Sequence, residues 1–343
     1  MSIDRFVHLE RGRFGFRINL RVLALTVSTA LVLLATVGVA LTRGSYELGV
    51  GEVVRALLGA GERQALFVVR TLRLPRVLAA VFIGPLLAAS GAIFQGLVRN
   101  PLVSPDIIGV NAGAAAAAVF WIVTGAASAF LPLAAFAGAF TAATAVYLLS
   151  RRGHVDPGRL VLVGIGVNAM LSAATTLFIV RADLSSAQQA TVWVTGSLYA
   201  SEWSDVGLLA ASAFLLLPCS VVLMWSLRVL QMGDITAISA GMRVELVRLS
   251  LLLAGCAMSA VAVTMAGPIG FVALVVPHIA RILGGAMSGG VLLLTSVLGS
   301  VLLLSADIVA QHVLPVSLPV GVVTSAIGAP YFLYLLYRTS ARI

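Results

Sequence analysis

Long uncharged stretches alternate with short charged ones along the whole chain. Apolar spans read at 22–42, 77–98, 107–127, 130–150, 160–180, 206–227, 247–266, 268–284, 289–310 and 319–337. Each comes near the roughly 20 residues that cross a bilayer core. The pattern therefore predicts an all-α polytopic membrane protein of about ten transmembrane helices, with residues 1–343 as one transmembrane domain. The eighth span is the least regular, since Gly267-Pro268 starts it, Gly270 follows and Pro277-His278 interrupts it. The first span follows Arg5, Arg11, Arg13, Arg17 and Arg21. It exceeds a signal-peptide core of about 7–15 residues, so it reads as an uncleaved helix with residues 1–21 on the cytoplasmic side.

Within the second span, Gly84, Ala88, Ala92 and Gly96 recur every fourth residue. Such a small-residue ridge lets another helix approach closely. Basic, proline-bearing segments bracket this span: Arg73-Leu-Pro-Arg76 before it, and Arg99-Asn100-Pro101-Leu102 with Ser104-Pro105-Asp106 after it. An even number of spans returns the C-terminus, with Arg338 and Arg342, to the cytoplasm. Outside that leaves only Arg43, Arg55, Arg63, Arg70, Arg73, Arg76 and Arg181, in agreement with the positive-inside rule. Most of these outer arginines cluster between 43 and 76, a positive patch suited to an acidic partner. Contact with lipid headgroups is the alternative.

Composition agrees with the pattern. The chain is 60% hydrophobic and 10% charged, against about 25% charged in soluble domains. The net charge of +9 comes entirely from arginines, most of them in connections, so it is no nucleic-acid signal. The chain contains no lysine. A phosphate-binding loop of the Walker type needs one, so any ATP-driven cycle must use a separate subunit. The four histidines (His8, His154, His278, His312) lack metal-ligand spacing, and Cys219 and Cys256 sit inside apolar spans. No catalytic constellation appears.

Two connections look structured. Arg181 to Asp205 holds a weakly apolar piece, 190–199, too short and too polar to span, which reads as lying at the outer surface. The inner connection, 228–248, contains Gly233-Asp234 and Ala240-Gly241. Asp234 suits a helix N-terminus and Gly241 a helix end. That predicts a short cytoplasmic helix, either a docking element or an ordered surface turn. Asp307 is the one acid within or near the end of an apolar span. It either carries protons or ties down the loop before the last helix. Gln95, Asn111, Asn168 and Thr176 are polar groups within spans. They line a wet path or bond between helices.

These residues carry a resemblance. Arg73-Leu-Pro-Arg76, Arg99-Asn-Pro-Leu102 with Ser104-Pro-Asp106, Gly233-Asp234 with Ala240-Gly241, Gly267-Pro-Ile-Gly-Phe271 running to Val276-Pro-His278, and Leu318-Pro-Val-Gly321 with Gly328-Ala-Pro330 stand in the order of the FecCD-type permeases. The sequence resembles these transmembrane subunits of ABC importers for iron-siderophores, haem and vitamin B12 over nearly its whole length. The resemblance implies ten helices per subunit, the type II importer fold and two permease subunits, alike or different, around one pathway. It implies a dimeric ABC ATPase, an external substrate-binding protein, no cofactor and no enzymatic activity of the chain itself.

By position, the resemblance assigns Asn100 and Leu102 to a cytoplasmic gate and Pro157 and Gly158 to a second one. Gly233, Asp234, Ala240 and Gly241 fall on the helix that couples to the ATPase, and Arg73 and Arg76 on the receptor of the binding protein's acidic residues. Two positions depart from the pattern: Gln311 and Ser317 stand where similar permeases often carry a basic residue and a Glu. Ser104-Pro-Asp106 and Trp193-Val-Thr-Gly-Ser197-Leu look more like siderophore than cobalamin permeases, so the implied substrate is a ferric siderophore, with haem or cobalamin second. A proton-coupled secondary transporter using Asp307 is the rival from another class.

Overall fold

The computed structural model describes residues 6–11, 14–152, 154–155, 157–199, 201–313 and 316–340. Arg5, Arg13 and Arg342, assigned above to the cytoplasmic side, lie outside the described residues. Two antiparallel strand pairs occur among them, β1 (Phe6–Arg11) with β2 (Phe14–Asn19) and β3 (Arg151–Arg152) with β4 (His154–Val155). The helices are α1 (Leu20–Thr42), α2 (Val50–Leu57), α3 (Arg63–Phe67), α4 (Leu74–Val98), α5 (Val110–Val123), α6 (Leu131–Ser150), α7 (Pro157–Arg181), α8 (Leu184–Thr195), α9 (Trp203–Gln231), α10 (Asp234–Ser239), α11 (Val244–Ala266), α12 (Val272–Gly284), α13 (Gly289–His312) and α14 (Val320–Ser340). Among the described residues, eight helical stretches are long and apolar enough to cross a membrane, and α5 and α12 are shorter apolar helices. Together they coincide with the ten apolar spans of the sequence. Their outward sides carry large apolar residues such as Leu34, Met170, Phe214 and Trp225. Only hydrocarbon makes so much exposed apolar surface tolerable.

The second span begins earlier than its hydropathy indicates. α3 runs into α4 through a π-helical stretch, Val68–Arg73, so Arg73-Leu-Pro-Arg76 is helical rather than a basic segment ahead of the helix. Pro75 explains the wide turn. A proline has no N–H to give and crowds the carbonyl four residues back. The wider winding pairs Leu74 N–H with Val69 O, five residues back, and carries the chain past the proline.

α4 is the central element, buried along nearly all its length. A Cβ at Gly84 would stand 2.4 Å from the Gly299 carbonyl oxygen, and one at Gly91 would stand 1.8 Å from that of Ala273. A Cβ at Gly96 would meet the Leu227 side chain at 2.6 Å. Backbone therefore lies against backbone at α13 and α12, and against side chains of α9. The four-residue ridge read in the sequence does not serve one partner. Four residues turn a helix by about 400°, so the stripe drifts by about 40° per step. It begins on α13 at Gly84 and ends on α9 at Gly96. Gly91, which the ridge omits, makes the closest approach.

Prolines inside helices leave orphan carbonyls, and neighbouring helices supply the missing donors. Pro85 has no N–H for Val81 O, which accepts instead from the Ser300 hydroxyl at 2.8 Å. Pro277 likewise frees Ala273 O, and Gln95 Nε2 donates to it at 3.4 Å and to Leu274 O at 3.0 Å. In hydrocarbon, an unmet backbone carbonyl costs several kcal/mol.

Adding one methyl group tests this seam. Gly91→Ala and Gly84→Ala each set a Cβ against rigid backbone, and each is expected to cost about 1–3 kcal/mol. Gly38→Ala in α1, with no atom near its Cβ, is expected to be neutral or slightly stabilising. Melting of the detergent-solubilised protein, followed by size-exclusion chromatography after heating, reads the ranking; equal midpoints for the three variants would refute the seam.

Candidate functional site

The residues singled out by the sequence gather at the two ends of α4. At one end, α4 stops at Arg99, which adopts the left-handed conformation with φ 58°. Asn100 Oδ1 then accepts from Leu102 N–H at 3.0 Å, which closes a tight turn through Pro101. Asn100 is exposed and Leu102 half-buried. A short 3₁₀ turn, Pro105–Ile108, follows, and α5 starts at Val110. The Asp106 carboxylate accepts from the Ser104 hydroxyl at 3.2 Å and from the Asn111 amide, and Asn168 Nδ2 reaches Asp106 O at 3.4 Å. Asn111 and Asn168 thus brace this turn on α5 and α7.

The same end carries α10. Gly233, with φ 116°, precedes it, and Asp234 is its first helical residue. The Asp234 carboxylate accepts from Arg248 Nη2 at 2.8 and 2.9 Å, not from the helix's own N–H groups as a capping residue would. Ala240 closes the helix, and Gly241, with φ 78°, follows in the left-handed region. Gly241 N–H bonds to Ile238 O and Met242 N–H to Ala237 O, the two bonds of a Schellman ending. No atom stands near a Cβ at Gly241, so only the backbone angle disfavours a side chain there. Ile235 is 83% exposed and Ile238 62%. Three residues apart, they share one face of the helix. Pro157 and Gly158 open α7; Gly158 is exposed.

At the opposite end of α4, Arg76 Nε donates to Asp307 Oδ2 at 2.9 Å and its Nη2 to Oδ1 at 2.7 Å. The pair is nearly enclosed, with the side chains 13% and 3% exposed. Gln311 donates to the same carboxylate at 2.6 Å, and the Tyr199 ring lies 5.9 Å from the guanidinium. Arg73 donates to the carbonyls of Leu41 at 2.7 Å and Tyr46 at 2.5 Å. Both arginines are thus engaged within the chain, whereas Arg55, Arg63 and Arg70 are exposed. Asp307 ties α13 to α4 rather than holding the loop before the last helix. Both oxygens of this carboxylate are taken up by the bidentate guanidinium and the Gln311 amide, so it serves as a packing tie between the helices.

The remaining polar candidates divide. Gln95 is buried, bonds to α12 and accepts from Arg281 through Oε1. The Thr176 hydroxyl donates to Ser172 O within its own helix. The spacing of motifs along the sequence hid one junction. A Cβ on Gly196 would lie 2.2 Å from Pro268 O, one on Gly267 would lie 2.2 Å from Trp193 O, and one on Gly321 would lie 2.0 Å from Thr195 O. Ser197 N–H bonds to Ala266 O at 2.7 Å and Gly321 N–H to Gly196 O at 3.1 Å. Three segments that read as separate motifs therefore meet backbone to backbone. Each glycine reads as a local turn, and only their contacts reveal the shared role. At the far end of α8 from the junction, Asp183 caps the helix. Its carboxylate, bonded by the Ser185 hydroxyl and the Ser186 N–H, is held well below the usual carboxylate range.

Known proteins are similar to this chain over most of its length. The FecCD transport family matches residues 31–338. The achromobactin transport system permease protein CbrC of Dickeya dadantii is 41% identical, over 98% of each chain. The ferric enterobactin transport system permease protein FepG of Escherichia coli is 41% identical over 88% of this chain and 92% of its own. Among solved structures, a metal-chelate type ABC transporter in an inward-facing conformation superposes with a TM-score of 0.81 at 29% identity, covering 92% of this chain and 99% of that one.

The enclosed ion pair sets a test. Asp307→Asn leaves the Arg76 guanidinium without a counter-charge and is expected to cost about 3 kcal/mol or more. The double variant Arg76→Met with Asp307→Leu should regain most of that loss, because it leaves no buried charge. Thermal midpoints of the two proteins in detergent check the order; a double variant as unstable as the single one would show that the pair is not what holds α4 to α13 at this end.

Proposed function

The chain belongs to the FecCD transport family, and on that premise we propose that it is the permease subunit of an ABC importer for a ferric siderophore. It sits in the plasma or inner membrane with both termini in the cytoplasm. The observation that carries the reading is α10. A six-residue helix between two spans presents Ile235 and Ile238 outward. Such a helix is too short to enter a bilayer, and an exposed apolar face on it calls for a protein groove. The positive-inside rule sets this end in the cytoplasm, where the groove belongs to the ABC ATPase. Gly233, Asp234, Ala240 and Gly241 shape that helix for docking: Asp234 ties its start to α11 and Gly241 ends it.

On this reading Asn100 and Leu102 form the cytoplasmic gate, with Pro157 and Gly158 at the head of α7 as the second. The braced turn supports it, since a gate must keep its shape while its neighbours move. Gln95, Asn111, Asn168 and Thr176 are proposed to face or brace the pathway. A second permease subunit, a copy of this chain or a related one, completes that pathway. On the external side, Arg73 and Arg76 receive carboxylates of the substrate-binding protein, with exposed Arg55, Arg63 and Arg70 drawing it in. Docking is then an exchange: incoming carboxylates replace the carbonyls of Leu41 and Tyr46 and compete with Asp307. The siderophore assignment rests on the named relatives, which transport achromobactin and ferric enterobactin. The chain brings no lysine to a nucleotide, so ATP hydrolysis falls to the partner.

Ile235→Asp with Ile238→Asp tests the reading. The pair should lower affinity for the co-expressed ATPase by about tenfold or more, as loss of an apolar anchor does. ATP-driven uptake of iron-loaded siderophore into proteoliposomes should fall with it, at an unchanged melting midpoint. Normal ATPase recovery together with normal uptake would overturn the docking assignment.

A further inference from the structure

The turn assigned to the gate and the helix assigned to coupling are joined by one side chain. Arg99 follows the last residue of α4 and reaches across to α9. Its Nη2 donates to Leu230 O at 2.7 Å and lies 3.9 Å from Asp234 Oδ1. Leu230 is in the last turn of α9, four residues before α10 begins. A second tie runs the other way, from Gln231 Nε2 to Gly96 O at 3.1 Å. Gly96 is what lets the two helices come this close, since a Cβ there would meet both Leu227 and Gln231. Asp234 is fixed from its other side by Arg248, whose side chain is buried and also binds Glu245 at 3.3 Å.

The backbone at Arg99 is strained. A left-handed residue other than Gly costs roughly 1 kcal/mol. Asn100 follows directly, so the residue that makes the long-range contact also aims the turn. The sequence shows Arg99 only as a basic residue beside the Asn-Pro-Leu turn. It gives no sign that the guanidinium binds a carbonyl far along the chain.

We propose that Arg99 is the positioning residue that passes displacement of α10 to the 99–102 turn, so that the coupling connection and the gate move as one body. The proposal rests on the reading that α10 docks the ATPase and that Leu102 lines the gate. The mechanical reasoning is short. Leu230 O lies in the last turn of α9, accepts from Gly233 N–H at 3.2 Å, and offers its second lone pair to the guanidinium. A charged donor makes the stronger kind of hydrogen bond there. When α10 shifts, Leu230 and Asp234 shift with it, and the guanidinium draws the start of the turn along.

Arg99→Gly is the informative variant, because glycine suits the left-handed backbone and takes away the guanidinium with its stem without straining the turn. The probe is Leu102→Cys in a Cys219→Ser background; the other cysteine, Cys256, is buried. The full chain is assembled with its ATPase in lipid discs. A polar maleimide then reports the labelling rate without nucleotide and with ATP and vanadate. With Arg99 present, the two states should label at different rates. In Arg99→Gly the ATPase should stay bound and hydrolyse ATP, while the difference in labelling shrinks by about tenfold, the value of one charge-assisted hydrogen bond. Arg99→Lys, which keeps the charge without the planar fork, should restore part of the difference.

A full nucleotide response at Leu102→Cys in Arg99→Gly would overturn the proposal. So would loss of the ATPase from that variant, since Arg99 would then only support the docking site. If the parent Leu102→Cys complex itself shows no nucleotide response although ATPase is bound, the gate assignment fails and the proposal falls with it. That result is distinguishable, because it appears with Arg99 intact.

Discussion

Everything in this structure depends on how closely the backbone of α4 can approach its neighbours. A helix surrounded by others inside a bilayer gains nothing from burying apolar surface, because lipid is equally apolar. What holds the bundle is packing, and packing at backbone distance needs positions without side chains. Gly84 against Gly299 sets α13, Gly91 against Ala273 sets α12, and Gly96 against Leu227 sets α9. Ser90 adds a hydroxyl to Gly255 O at 2.7 Å and so fixes α11. Around one rod, four helices are thereby fixed in register. The charged residues at its ends inherit that register. Arg76 meets Asp307 at one end because Gly84 meets Gly299 two turns further on, and Arg99 meets Leu230 at the other because Gly96 meets Leu227.

The second constraint is the irregular backbone between long helices. α5 and α12 are each too short to cross roughly 30 Å of hydrocarbon as a helix, and each is preceded by broken chain. Non-helical backbone at such depth persists only when protein satisfies it. Before α12, the glycine junction does this, with Ser197 N–H on Ala266 O and Gly321 N–H on Gly196 O. Before α5, Asp106, Ser104, Asn111 and Asn168 do it with side chains. One break is closed by backbone and glycine, the other by polar side chains. The second kind is the easier to rearrange, since side-chain bonds can be exchanged one at a time. That difference favours the α5 break as the moving part and the α12 break as the fixed one.

The sequence discloses the number and order of spans, because an uncharged stretch about 20 residues long has few other uses. It discloses the short α10 as well, since Gly-Asp and Ala-Gly punctuate an otherwise plain connection. It misses where helical winding overrides hydropathy. Arg73 and Arg76 look like a loop, yet a π turn carries the helix through Pro75. It misses long-range pairing almost entirely. Nothing at Asp307 names Arg76 as its partner across 231 residues, and nothing at Ser300 says that its hydroxyl stands in for the N–H of Pro85. Local rules govern caps and spans, which are therefore readable; pairings between helices depend on a register that only the assembled bundle defines. The small-residue ridge shows the limit well. Its spacing correctly marks close approach, but the drift of a 3.6-residue helix sends its two ends to different neighbours.

The external charges end on a similar point. A cluster of arginines reads from sequence as one surface, yet the folded chain divides it into two populations. Arg55, Arg63 and Arg70 face water, where a charge steers a partner over the roughly 10 Å that salt leaves unscreened and contributes little to holding it. Arg73 and Arg76 already have acceptors, so they add little long-range attraction. Each gives two of its five N–H donors to these acceptors, and a partner's carboxylate reaches the occupied ones only by displacing them. For Arg76 that means parting from an enclosed carboxylate, a step whose cost is large unless the incoming group replaces it in the same place. Asp307 would then keep only Gln311, and the end of α13 would lose its tie to α4. Since α4 runs unbroken from that pair to the 99–102 turn, loosening it at one end alters the seating of the helix at the other. On the docking proposed for Arg76, one guanidinium would serve both the partner and the packing of the central helix, so docking would do more than hold the partner.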